Sequence, residues 1–236
     1  MNKVLNNFLK CLYPKKKSCI LCGSSDSTLL CTLCSSSIEF IHERKCLKCG
    51  KGLSDNYIDN ICPDCKEAKF SFHSAYSCFY YNSGGKELIH KLKYEGKKEA
   101  AKILAGYMAQ LICEEDLKGD IIVPVPIHES KMEIRGFNQS MAIGEYLSNY
   151  IFLPIWDCLV RVRNTKDQYN LDKYERKTNL IDAFSIDMLY NVRNKGILLI
   201  DDIYTTGSTV EECSKELIKA GANKVYVVTA AAGINT

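Results

Sequence analysis

Four Cys-x-x-Cys pairs, Cys19/Cys22, Cys31/Cys34, Cys46/Cys49 and Cys62/Cys65, constrain this chain more than any other feature of its sequence. Two residues between cysteines bend the backbone into a knuckle that aims both thiolates at one metal ion, and two knuckles complete a tetrahedral site. Zinc suits four thiolates, so eight ligands imply two zinc ions. Gly23 and Gly50 directly follow the second cysteine of two pairs, where a positive φ turns the amides toward the sulfurs. Sequential pairing, with Cys19/22/31/34 on one ion and Cys46/49/62/65 on the other, gives two consecutive ribbons; cross-braced pairing uses the same residues. A four-cysteine site leaves no open coordination position, so both ions are expected to be structural. Disulfides would need an oxidising compartment, and iron-sulfur clusters use other spacings. Cys11, Cys78, Cys113, Cys158 and Cys213 have no neighbour at pair spacing and read as small apolar fillers.

The ribbons occupy only part of the 236 residues. We expect residues 1–70 to hold a short helix and the double ribbon, and residues 71–236 to form an α/β domain. A hydrophobic fraction of 46% gives that domain enough apolar material for a core. The net charge of +3 is too small to argue nucleic-acid binding. Val4, Leu5, Phe8, Leu9 and Leu12 recur at helical spacing, but polar residues interrupt them, unlike a secretory signal. No run reaches the roughly 18 apolar residues of a membrane span. A cytoplasmic location without membrane insertion is the expectation.

The second constellation lies near the other end. Gly196–Ile200 reads as a buried parallel strand, and it leads into Asp201 and Asp202, then Ile203, Tyr204, Thr205, Thr206, Gly207, Ser208 and Thr209. Val210, Cys213, Leu217 and Ile218 then recur at helical spacing up to Gly221, and Val225–Val228 reads as the next strand. A loop between a strand end and a helix start turns backbone N–H groups and hydroxyls around an anion, aided by the helix dipole. Gly207 permits a close approach of backbone to ligand, and paired carboxylates can accept from vicinal sugar hydroxyls. No Gly-Lys-Ser/Thr or G-x-G-x-x-G accompanies the loop, which excludes the Walker A and dinucleotide motifs.

Upstream, Asp120–Pro126 reads as a strand ending in prolines. Arg135–Gln139 opens a helix through Leu147, and the loop between them carries His128, Lys131 and Arg135. Residues 161–179, with Arg161, Arg163, Lys166 and Arg176, are polar, cationic and poorly periodic, as a mobile loop would be. Between ribbons and strand, a strand is expected at Ala75–Tyr81, a turn at Ser83-Gly84-Gly85, and helices over 86–93 and 100–113. Lys91, Lys93, Lys97 and Lys98 there read as a solvated basic face, with nucleic-acid contact as the alternative.

The apolar strand, two acids and Thr-Thr-Gly-x-Thr loop resemble the signature of type I phosphoribosyltransferases. The resemblance implies a mainly parallel sheet flanked by helices, binding a 5-phosphoribosyl-1-pyrophosphate-type ligand. It places Asp201 and Asp202 on the ribose, Thr205, Thr206, Gly207, Ser208 and Thr209 on the 5-phosphate, and Pro126, Arg135, Arg161 and Lys166 around the diphosphate. Asp201, Asp202 and Arg135 become the candidate catalytic residues, with magnesium accompanying the diphosphate. The whole set, with Val-Pro-Val-Pro and Arg-Gly-Phe-Asn-Gln, is similar to the ComF family. That resemblance implies a role in DNA uptake during natural competence, with single-stranded DNA and a competence helicase as partners. A non-catalytic DNA-binding factor that keeps the pocket remains an alternative, with Lys15, Lys16, Lys17, Arg44, Lys45 and Lys48 as its basic face. A nucleobase salvage enzyme is a further alternative, though no base-gripping hood segment is evident.

Overall fold

The computed structural model describes residues 18–25, 28–42, 44–54, 58–163 and 180–233. The N-terminal helix expected before Leu12, Lys15–Lys17, Lys166 and most of the expected mobile segment lie outside them. In chain order the elements are α1 (Thr32–Ser36), α2 (Pro63–Glu67), β1 (Ser74–Tyr80), α3 (Ser83–Glu95), α4 (Lys98–Glu114), β2 (Ile121–Pro124), α5 (Glu129–Arg135) and α6 (Gln139–Ile151). They continue with β3 (Leu159–Arg161), β4 (Phe184–Ile186), β5 (Gly196–Tyr204), α7 (Ser208–Lys219) and β6 (Lys224–Ala232). One sheet has the order β1-β6-β5-β2 with every neighbouring pair parallel, while β3 and β4 form a separate antiparallel pair.

The twofold period of β5 divides the interior. Ile197 and Leu199 join one buried cluster with Val225, Val227 and the α7 residues Val210, Cys213 and Leu217. Leu198 and Ile200 point to the other, with Leu88 and Leu92 of α3, Leu104 and Met108 of α4, and Ile143 and Leu147 of α6. Each such buried side chain stabilises the fold by about 1.5–3 kcal/mol.

The two ribbons lie on opposite faces of this sheet. Ile38 belongs to the α3/α4 cluster, with Ile20, Leu21 and Leu30 of the first ribbon packed against it. Cys46, Cys49, Cys62, Cys65 and Leu53 of the second ribbon belong to the α7 cluster. The connector between ribbons runs along the free edge of β1: Ile41 N donates to Cys78 O and Tyr80 N to Glu39 O, both at 2.9 Å. The outer edge of β2 is met by residues 154–156, where Trp156 N donates to Ile122 O at 2.8 Å.

Three local expectations need correction. Ser83, Gly84 and Gly85 form the first turn of α3 instead of a separate turn. The glycines serve proximity here, since a Cβ on Gly84 would lie 2.2 Å from Ser37 Oγ and one on Gly85 2.5 Å from the Phe79 ring. Residues 129–135, expected as loop, form α5, capped by His128 and ended by Gly136 at φ 75°. The strand expected to stop at Ile200 continues through the carboxylates to Tyr204, because Asp201 and Ile203 still pair with Thr229 and Ala231 of β6. Among the described residues no helix is long and apolar enough to cross a membrane.

Candidate functional site

The extension of β5 sets Asp201 and Asp202 at the carboxyl end of a central strand. Asp202 is buried and pairs with the Lys93 ammonium at 2.7 Å. Lys93 stands in the last turn of α3, which ends at Gly96 in the left-handed conformation. Asp201 Oδ1 accepts from Ser140 Oγ at 3.0 Å and from Asp202 N at 2.9 Å. Ser140 lies in the first turn of α6, whose N-cap, Asn138, accepts from Ser140 N at 2.9 Å and donates through Nδ2 to Val125 O at 3.0 Å. The Val-Pro-Val-Pro strand end, the Arg-Gly-Phe-Asn-Gln turn and the acid pair are therefore joined by one hydrogen-bonded chain.

Burial and then the adjacent Asp202 charge push the Asp201 carboxyl up to about 7. Burial disfavours the Lys93 ammonium, but the charges of Asp202 and Asp201 outweigh it and hold Lys93 above the usual lysine range. The site thus holds a lysine above its usual range against Asp202 and, beside it, one carboxyl that changes charge near neutrality.

After Tyr204 the chain turns through Thr205 and Thr206 to Gly207, which adopts φ 80° as the N-cap of α7. Thr206 and Ser208 share a hydroxyl hydrogen bond of 2.9 Å, and Glu211 N donates to Gly207 O at 2.8 Å. Ser208 N also donates to Thr206 Oγ1 at 3.5 Å, so amides and hydroxyls at the start of α7 border the loop. Beneath it lies the buried Tyr204 ring; a Cβ on Gly207 would sit 2.2 Å from the Tyr204 hydroxyl. Burial also pushes that phenol up, so it stays protonated.

Arg135 ends α5 beside the acid pair's lysine, with its guanidinium carbon 5.8 Å from the Tyr94 ring centroid. Its positive charge works against that of Lys93, so both cations act on the same space. Pro126 is buried just past β2. Arg161 belongs to β3 and stands 5.6 Å from the Phe184 ring, at the base of the segment that contains Lys166. The sequence reading treats Lys93 only as part of a basic face and leaves Ser140 out of the site. Their roles depend on helix packing that brings distant segments to β5, so no local motif announces them.

The cysteines divide sequentially. Cys19, Cys22, Cys31 and Cys34 form one group and Cys46, Cys49, Cys62 and Cys65 the other, with ligand atoms in each within 4.8 Å of one another. Four convergent sulfurs fit a tetrahedral zinc ion, and the absence of any other donor in each group leaves no position for substrate. Gly23 and Gly50 take φ of 74° and 70° as the knuckles require. Of the basic residues considered for DNA, Lys45 pairs with Glu115, and Lys48 donates to Phe72 O and, at 2.9 Å, to His73 O.

Comparison with known proteins agrees with this division. A family model described as a double zinc ribbon domain matches residues 8–66. DNA utilization protein YhgH of Salmonella typhi is 29% identical, covering 84% of this chain and 94% of its own. Competence protein F of Haemophilus influenzae is 29% identical over 84% of this chain and 88% of its own, and competence protein ComFC of Streptococcus pneumoniae 29% over 88% and 96%. Among solved structures, a purine phosphoribosyltransferase from Pyrococcus horikoshii aligns at a TM-score of 0.37 with 17% identity, covering 56% of this chain and 73% of that one. The likeness to ComF-type proteins thus extends over most of the chain, from the two four-cysteine ribbons through the parallel sheet.

Proposed function

We propose that the carboxyl end of β5 binds a 5-phosphoribosyl-1-pyrophosphate-type ligand and transfers its phosphoribosyl group. The observation that carries this reading is the buried, cation-paired carboxylate set directly before a glycine-capped helix start. In it, Asp201 and Asp202 accept from the ribose hydroxyls, while Thr205 to Thr209 surround the 5-phosphate with hydroxyls and amides. Arg135 supplies positive charge where the diphosphate departs, Arg161 adds a cation from the β3–β4 side, and Lys166, outside the described residues, is assigned the same role. Bound magnesium would neutralise diphosphate charge. The bond from the anomeric carbon to the diphosphate oxygen breaks as an acceptor lone pair bonds that carbon, and no protein nucleophile is required. Residues 1–70 and 71–236 then serve as structural and ligand-binding parts of one protein.

The names of the relatives, a DNA utilization protein and a competence protein, support a setting in DNA uptake; we place it in the cytoplasm, with single-stranded DNA and a competence helicase as partners. The engagement of Lys45 and Lys48 within the fold weighs against a basic face built on those residues. Calorimetric titration of the zinc-loaded chain with 5-phosphoribosyl-1-pyrophosphate and magnesium tests the reading. Saturable binding should be lost in the Asp201→Asn/Asp202→Asn variant; binding unchanged in that variant, or absent at millimolar ligand, contradicts it.

A further inference from the structure

A cleft of about 370 Å³ separates Thr206 and Ser208 from Asp64, Glu67 and Phe70 beside the second ribbon. Two contacts tie the loop to the same side of the protein as that ribbon. One is Tyr204, whose hydroxyl lies against Gly207 and whose ring meets Phe72 edge-on at 6.4 Å and lies 5.8 Å from Lys51 Nζ. The other is Glu211, in the first turn of α7, which accepts from Ser71 N at 2.7 Å and from Ser71 Oγ at 2.9 Å.

Both supports lead to the second ribbon. Lys51 follows the Cys46-to-Gly50 knuckle and its carbonyl accepts from Cys46 N at 2.8 Å. Lys48, inside the same knuckle, lies 4.9 Å over the Phe72 ring and fixes the Phe72–His73 backbone by donating to His73 O. Tyr204, Phe72 and all four cysteines of that ribbon share one buried cluster. Among the described residues, the first ribbon packs on the opposite face of the sheet and shares none of these contacts.

From these contacts we infer that Tyr204 is a positioning residue for the loop, and that zinc in the Cys46/Cys49/Cys62/Cys65 group sets the loop's affinity for a phosphomonoester. The inference rests on reading residues 205–209 as a phosphate cradle. A ring braced against a metal-closed knuckle holds Gly207, and with it the first amides of α7, in the geometry that receives the anion. Without that metal the knuckle no longer fixes Lys48, Lys51 or the Phe70–Phe72 segment, and the loop samples other positions. The first zinc contributes to stability without reaching the loop.

The test is hydrogen exchange on the full, zinc-loaded chain, resolved for residues 205–211, with protection of Ile197–Ile200 reporting that the sheet stands. Cys62→Ser/Cys65→Ser and Tyr204→Leu should each speed loop exchange about tenfold and weaken 5-phosphoribosyl-1-pyrophosphate binding by a similar factor. Tyr204→Phe, which keeps the ring, should restore most of the protection, and Cys31→Ser/Cys34→Ser should leave the loop unchanged. Should the second-ribbon variant lose the sheet's protection as well, Tyr204→Leu and Glu211→Gln carry the test. Loop exchange unmoved in Tyr204→Leu, or moved equally from both ribbons, overturns the coupling. Exchange needs no ligand, so a wild-type chain that binds no phosphoribosyl compound would sink the proposed function and the affinity claim with it, whereas the coupling of ribbon to loop would be judged by exchange alone.

Discussion

Asp201 titrates where most carboxyls are long since ionised. Its folded value, about 7, lies above the unfolded value of about 4, so the folded state binds its proton more tightly. The sign follows: this group's favourable contribution is complete below the unfolded value and is lost as pH rises through the folded one. Asp201→Asn keeps an oxygen to accept from Ser140 and Asp202 N while removing the charge. Its melting temperature should exceed the wild type's at pH 8 and match it near pH 4. A gain confined to acid would contradict the account. Lys93→Met leaves the Asp202 carboxylate buried without its cation, and urea denaturation at pH 7 should show a loss of about 3 kcal/mol. The same variant with Asp202→Leu should recover much of that loss, since the stranded charge is gone.

Among the elements, β5 and α7 are the most legible in the sequence, because an apolar run, a glycine and a helical period all lie side by side. The limits of that legibility are equally physical. Sequence cannot tell that β5 continues through two acids, since only pairing with β6 keeps Asp201 and Ile203 extended. Nor can it separate a turn glycine from Gly84 and Gly85, which lie in a helix because neighbours press on them. Gly207 is the opposite case, where left-handed backbone and close contact coincide. Gly207→Ala must strain φ and displace Tyr204, and we expect a loss of about 1–3 kcal/mol with ligand binding reduced more than stability. Thermal melts beside calorimetry would separate the two effects.

At the scale of the whole molecule, the cysteine spacing reveals the existence of both ribbons, and nothing in it reveals their positions astride the sheet. That placement depends on Ile38 and Leu53 finding opposite apolar clusters. Because the second ribbon shares the sheet's core, removing metal should disturb more than the ribbons. The chain should hold two zinc ions by elemental analysis, and a chelator strong enough to strip both should broaden or lower the thermal transition. A sheet that melts unchanged without zinc would show that the ribbons are appended and not integrated.

The strand order also bears on how the fold is reached. β6 comes after every other strand in the chain, yet it lies between β1 and β5. Until it inserts, β1 has no neighbour in the sheet, and the first ribbon, the connector and α3 have only half of a surface to rest on. Assembly must therefore wait on a contact that closes a very long loop, a slow step that leaves apolar strand edges open meanwhile. Metal-closed knuckles, which need only local chain, can form first and restrict what the remaining polypeptide explores. A chain cut before Lys224 would retain both ribbons and lose the sheet.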